Sequence, residues 1–287
     1  MDGVCSTVKI VTVQPAHDPV IDAFVDRALE GAALEHPDIV RESSVYVCDL
    51  QSMRYGEARS DANIYPASVI KVPIMAEAFR QYSVNALRPD DRVVVSESNQ
   101  TATSGPAPFV PGYEATISEL VDLMITHSDN VATNQLIDVL RRQRVTEYMH
   151  DLGLNTFLLG RKLSGSEPLI DDPEKVGRNC LPAAEIGRLL TLIACDRVAG
   201  ASAQREILRR CAHNDKLVPG LLPGDVFMHK TGETSDVSHD AGILVTVDGK
   251  RYVIVLYCAV EPTADDADAV HANPFMVTWM RAVRAQL

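Results

Sequence analysis

The sequence predicts an α+β fold: a mainly antiparallel five-stranded sheet, flanked by an N-terminal and a C-terminal helix, with an all-helical lobe inserted between its halves. Three observations carry that reading. Strand-like runs are confined to the two ends of the 287-residue chain, helical periodicity fills the stretch between them, and successive strands follow one another over short turns, which favours antiparallel pairing. The expected division is residues 1–66 plus 222–287 for the sheet lobe and 67–221 for the helical lobe. A cleft at their junction is the natural place for a ligand.

The elements follow in order. An Asp-Pro start at Asp18, then Val20, Ile21, Phe24, Val25, Ala28 and Leu29 at helical spacing, predict a helix running to about His36. Ser44 to Leu50 has strand composition, and polar Gln51-Ser52 leads to a second strand beginning near Met53. Helices are expected over Val72–Tyr82, Ile117–Thr126, Val131–Arg141, Val145–Leu152 and Ala183–Cys195. Three strands return at Val226–His229, Ala241–Val247 and Tyr252–Val260, the last two joined by the turn Asp248-Gly249, and Ala264–Leu287 closes the chain as a helix. No internal repeat or long linker interrupts this order.

With 27 Lys+Arg against 39 Asp+Glu, the net charge of −12 argues against a protein built to hold nucleic acid, which needs clustered cations. At 46% hydrophobic and 23% charged residues, the chain is not disordered or low-complexity. The longest apolar run, Tyr252–Val260, falls far short of a membrane span. No basic and apolar leader follows Met1, so the sequence reads as untargeted and leaves the location open between a cytoplasmic protein and a chain that begins after a removed signal peptide. The six cysteines (Cys5, Cys48, Cys180, Cys195, Cys211, Cys258) are scattered without a C-x-x-C pair and read as buried thiols, not as a zinc site or a disulfide framework.

G-x-S-x-G, H-E-x-x-H, the P-loop and the Gly-rich dinucleotide fingerprint are all missing, so no metal or cofactor is expected. Ser238-His239-Asp240 contains the residue types of a hydrolytic triad, but neighbours on one strand alternate faces and cannot converge. The informative residues are Ser68-Val69-Ile70-Lys71. At the start of a helix, hydroxyl and amine lie one turn apart on the same face, and an amine that can lose its proton is a base for the hydroxyl. A second match at Ser6–Lys9, before a strand-like run, shows how weak that pattern is by itself. Two rarer tripeptides strengthen it: Ser128-Asp129-Asn130 at a junction between helices, and Lys230-Thr231-Gly232 at the end of a strand.

In this order and spacing, the three motifs resemble those of the class A β-lactamases and the wider group of penicillin-recognising serine enzymes, over about Asp18–Leu287. The resemblance implies the two-lobed fold and a β-lactam opened by acylation of a serine and released by water. It assigns Ser68 as nucleophile, Lys71 as the neighbour that takes or relays its proton, and Ser128 as donor to the leaving nitrogen. Asn130 would hold Lys71 and the substrate amide, while Lys230 and Thr231 would engage the substrate carboxylate. Gly232 would let the backbone lie close, and the N–H groups of Ser68 and Glu233 would form the oxyanion hole.

The resemblance also implies a deacylating base in a Glu-x-x-Leu-Asn pattern. Glu167-Pro168-Leu169-Ile170-Asp171 matches at Glu and Pro, while Asp171 sets a second negative charge beside Glu167 that works against its ionisation. Otherwise this stretch is an acidic surface loop with Asp172 and Glu174 as solvated neighbours. Glu233 stands where a small residue is usual and brings a carboxylate near the place of an anionic substrate. No Arg lies between Arg210 and Arg251, which leaves Lys216 and His239 as substitutes for an arginine anchor. The expected function is a serine β-lactamase acting as a monomer on a small molecule, with no nucleic acid or membrane partner. The alternatives are a D-Ala-D-Ala-type peptidase or esterase on the same scaffold, and a sensor that stays acylated.

Overall fold

A computed structural model describes residues 14–103, 108–165, 170–262 and 269–287. The sheet is built from both ends of the chain. β1 (Ala16–His17), β2 (Val40–Asp49) and β3 (Arg54–Ala58) come from the N-terminal end, and β6 (Val226–Thr234), β7 (Val237–Val245) and β8 (Arg251–Val260) from the C-terminal end. Their spatial order is β1-β3-β2-β8-β7-β6, so β2 and β8 join the two contributions at the centre and β6 forms an edge. The five expected strands are present, but the sheet has six. Ala16 and His17 add a short parallel strand against Arg54 and Tyr55, two residues being too few to leave a pattern. The remaining pairings are antiparallel.

Between β3 and β6 the chain is mainly helical: α2 (Lys71–Ser83), α3 (Ile117–Thr126), α4 (Asn130–Leu140), α5 (Arg142–Asp151), α6 (Ala183–Ala194) and α7 (Ala201–Arg209). A separate ribbon of β4 (Arg92–Val94) and β5 (Glu114–Thr116) precedes α3. Neither the ribbon nor α7 was expected from the sequence. Three-residue strands lack an alternation long enough to read, and α7 buries only Ala201, Gln204 and Leu208.

The two faces of the sheet carry different cores. Ala241, Ile243, Val253, Val255, Tyr257 and Ala259 face the helices between β3 and β6. Phe227, Leu244, Ile254, Leu256 and Cys258 face α1 (Pro19–Glu35) and α8 (Asn273–Arg284), where Val25, Leu29, Phe275, Met276 and Trp279 pack. Helix starts follow local chemistry. The Asp18 side chain accepts the Val20 N–H at 2.9 Å ahead of Pro19, and Asp129 accepts the Ala132 N–H at 2.6 Å to start α4. The closing helix starts at Asn273, later than expected, and its Pro274 lies in the first turn.

A candidate active site between the edge strand and two helix starts

Ser68 sits on a single 3-10 turn, Ala67–Ile70, that runs directly into α2 at Lys71. Positions three apart eclipse in a 3-10 turn, so Ser68 and Lys71 share a face more closely than in an α-helix. Ala67, just before the serine, has φ +46°, and Ser128 has φ +57°, both left-handed values that cost a non-glycine residue about 1 kcal/mol. Strained backbone thus marks two of the three motifs.

Lys71 is fully buried, and its ammonium points at the Ser-Asp-Asn turn. It donates to the Ser128 carbonyl at 2.6 Å, to Ser128 Oγ at 3.1 Å and to Asn130 Oδ1 at 2.8 Å. Lys230, equally buried, donates to the same Ser128 Oγ at 3.0 Å and to the Thr231 carbonyl at 2.8 Å. One hydroxyl is therefore bracketed by two amines. Burial, and then the positive charge of Lys230, holds Lys71 well below the usual lysine range against the pull of Asp129. Burial lowers Lys230 as well. An amine with a lowered pKa loses its proton more readily, which is what a base beside a serine needs.

Asn130 is held from behind: its side-chain N–H donates to the Ala102 carbonyl at 3.0 Å and its backbone N–H to Thr103 Oγ1 at 3.1 Å. Thr103 donates in turn to Asp129 at 3.0 Å. One turn along α4, Asn134 clamps the loop that follows α5, exchanging two 2.8 Å hydrogen bonds with the backbone of Leu163. Sequence reasoning missed Thr103 and Asn134. The four-residue spacing from Asn130, one turn further along the same face of α4, was the available signal for Asn134.

The Lys-Thr-Gly segment lies within β6 and not at its end. The expected strand stopped at His229 because Lys230 to Thr234 carry no apolar alternation; their side chains make polar contacts instead. Lys230 and Gly232 face the helices. At Gly232 the strand comes so close to the serine turn that a Cβ would lie 2.9 Å from the Pro66 carbonyl oxygen and 3.2 Å from Ser68 N. Thr231 and Glu233 point to the opposite face, where Thr231 is buried and Glu233 pairs with Lys216 at 2.7 Å.

His239 does not serve as a cationic anchor. Its Nε2–H donates to the Tyr65 carbonyl at 2.8 Å, its Nδ1 accepts the Cys258 N–H at 3.2 Å, and burial pushes it down to about 4. The ring stays neutral and ties the sheet to the segment leading into Ser68. Ser238 and Asp240 do face away from it, as strand alternation requires: Ser238 accepts from Lys216, and Asp240 pairs with His229 at 2.7 Å. Both His229 nitrogens meet acceptors, Asp240 Oδ1 and Asn214 Oδ1. Burial opposes its charge, but Asp240 outweighs burial and the imidazole is pushed up to about 10.

Glu167 lies outside the described residues, while both sides of its segment are anchored. The Gly165 N–H donates to Thr101 Oγ1 at 2.9 Å and the Ile170 N–H to Ser164 Oγ at 2.8 Å. The loop's ends meet in a bridge between Leu158 and Cys180. Asp171 and Glu174 are exposed, but Asp172 is not a solvated neighbour. Its side chain is 5% exposed and pairs with the buried Arg142 at 2.6 Å, and it also accepts the Lys162 N–H at 2.7 Å. The described cysteines are all free; Cys48, Cys211 and Cys258 are buried, whereas Cys180 and Cys195 are partly exposed. Among the described residues no group of three or more His, Cys, Asp or Glu is placed to hold a metal ion. No helix among them is long and apolar enough to cross a membrane.

A fold with a helix–sheet–helix layer at the chain ends, and a serine turn facing a Lys-Thr-Gly edge strand, defines a known class. The chain belongs to the beta-lactamase enzyme family, whose model matches residues 32–273. Among solved structures it is similar to PBP-A, with TM-score 0.79 and 21% identity over 95% of this chain and 97% of that one. A mutant of PBP-A in an acyl-enzyme complex with penicillin-G matches with TM-score 0.78 and 21% identity, over 95% and 98% of the two chains. A beta-lactamase from Sphaerobacter thermophilus matches with TM-score 0.77 and 22% identity, over 91% and 95%. A comparison with curated protein sequences finds no match.

Proposed function

We propose that this protein is a serine hydrolase of the β-lactamase type, in which Ser68 Oγ attacks a β-lactam carbonyl and the resulting ester is hydrolysed. The observation that carries the reading is the double coordination of Ser128 Oγ by Lys71 and Lys230, beside a Ser68 backbone against which Gly232 closes. Lys71, its proton loosened by burial, takes the Ser68 proton. The hydroxyl of Ser128 then delivers a proton to the leaving nitrogen and is replenished from the lysine side, so no free ion crosses the buried site. Backbone N–H groups of Ser68 and Glu233 stabilise the oxyanion, a contribution of several kcal/mol for donors placed in advance. Asn130 keeps Lys71 in place and offers its amide to the substrate, and Lys230 supplies the positive field for an anionic group. On this reading the catalytic residues lie along the junction between the sheet lobe, 1–66 plus 222–287, and the helical lobe, 67–221.

Glu167 activates the deacylating water in this scheme, from the loop that Asn134 and Arg142 hold. The test is the lifetime of the Ser68 adduct, followed by intact mass and turnover of a chromogenic cephalosporin. Rapid turnover abolished by Ser68→Ala supports a β-lactamase. An adduct that persists points to a penicillin-binding sensor. No adduct and no hydrolysis remove the β-lactam reading and direct attention to esters and D-Ala-D-Ala peptides.

A further inference from the structure

Cys211, His229 and Asp240 form a row of thiol, imidazole and carboxylate that the acylation scheme does not use; they are 5%, 1% and 0% exposed. His229 Nδ1 meets Asp240 Oδ1 at 2.7 Å and its Nε2 meets Asn214 Oδ1 at 3.2 Å, and the Cys211 thiol is in hydrogen-bonding contact with the same ring. Asn214 also donates to the Cys211 carbonyl at 3.1 Å, which folds the Cys211–Asn214 turn onto the imidazole. Phe227 stacks on the ring, with centroids 4.8 Å apart, and fixes its plane. The sulfur lies 3.8 Å from the His213 carbonyl oxygen, under a turn whose Ala212 and Asn214 are exposed. It is one turn of chain away from solvent and outside both apolar cores.

The charges that act on the thiol are His229 and Lys230 from β6, both positive, and Asp240 from β7, negative. Burial pushes the thiol up, but the hydrogen bond from His229 and the two positive charges outweigh burial and Asp240 together and hold it below the ordinary 9.0. Burial raises the thiols of Cys48, Cys180, Cys195 and Cys258 instead. We infer that Cys211 is an oxidation site, a thiolate seated on an imidazolium–carboxylate pair that takes hydrogen peroxide and other small peroxides. The sulfur attacks one peroxide oxygen, an S–O bond forms as the O–O bond breaks, and the departing hydroxide takes a proton from His229. The products are a sulfenic acid and water; sulfur gives up two electrons and the peroxide receives them. Entry beneath a single turn admits a molecule of two heavy atoms more easily than a bulky disulfide. Nothing in this step depends on acylation of Ser68.

The experiment exposes the folded full chain to hydrogen peroxide at neutral pH, quenches aliquots in guanidinium containing dimedone, and follows each cysteine by peptide mass. Sulfenic acid is expected on Cys211 about tenfold faster than on Cys180 or Cys195, although those two are the more exposed. The Cys211 rate should rise with pH to a plateau whose midpoint lies below 9.0, while the rates at Cys180 and Cys195 go on rising above it. His229→Gln should lower the Cys211 rate to that of Cys180 or less and leave Cys180 and Cys195 unchanged. The order among cysteines is read within the wild-type protein, so the result does not depend on whether that variant folds. Oxidation of Cys180 or Cys195 ahead of Cys211, or a Cys211 that stays reduced until the protein unfolds, overturns the assignment.

Discussion

At the scale of single residues, the site is organised around protons that burial has loosened and one hydroxyl that connects them. Because burial holds Lys71 below the ordinary lysine value of 10.5, acylation should rise with pH through a midpoint below that value, as the ammonium gives up its proton. Lys71→Ala should cut acylation by about 100-fold or more and remove that limb of the pH profile, measured as adduct formation under single-turnover conditions. Gly232→Ala places a Cβ against the Pro66 carbonyl, so β6 or the serine turn must shift. A displacement of this size at reacting atoms costs up to about 100-fold in rate, so this variant should fold, keep its thermal midpoint within a few degrees, and acylate slowly. His229 behaves differently. Its pKa is raised in the folded state, to about 10 from 6.5, so its pairing with Asp240 stabilises the protein fully below 6.5 and that contribution is lost as pH rises through about 10. Urea unfolding should show stability falling over that window, and His229→Gln should flatten the fall.

At the scale of elements, the loop from Leu158 to Cys180 depends on two internal fasteners, the Asn134–Leu163 pair and the Arg142–Asp172 bridge. Breaking one partner of a buried ion pair strands the other, at about 3 kcal/mol or more, so Asp172→Ala should lower stability by that amount in denaturant titration. It should also slow turnover more than it slows acylation, because the loop carries Glu167 and not Ser68. These fasteners show where the sequence could be read and where it could not. Long helices with capped starts, such as those at Asp18 and Asp129, were legible because cap and apolar spacing coincide within one turn. Ser68, Lys71, Ser128 and Lys230 were legible because three short motifs recur in a fixed order. The second half of β6, the position of Asp172 and the pairing of Glu233 with Lys216 were not. Each rests on a polar side chain meeting a partner distant in the chain, and a charged residue reads the same from sequence whether water or a buried guanidinium is waiting for it.

At the scale of the whole molecule, the sheet is shared between two cores, so loss of the sheet exposes apolar residues on both sets of helices. The single tryptophan, Trp279, is buried in α8 on the α1 side, while most helical residues lie on the other side. Unfolding followed by Trp279 emission should therefore coincide with loss of helical circular dichroism in one transition; two separated midpoints would show that the cores come apart independently. The pairing of β2 with β8 has a further consequence, for the order in which the protein is made. The helices between β3 and β6 leave the ribosome before β6, β7 and β8, and β2, already paired with β3, waits for its second partner more than 200 positions downstream. Until β8 arrives, β6 and β7 form a hairpin without a sheet, and the edge that carries Lys230 has no fixed relation to Ser68. Ser68 is translated in the first quarter of the chain, yet β6, whose Gly232 lies against its turn, joins the sheet only through β7 and β8, so a chain that lacks its last strand carries the serine without the edge strand beside it.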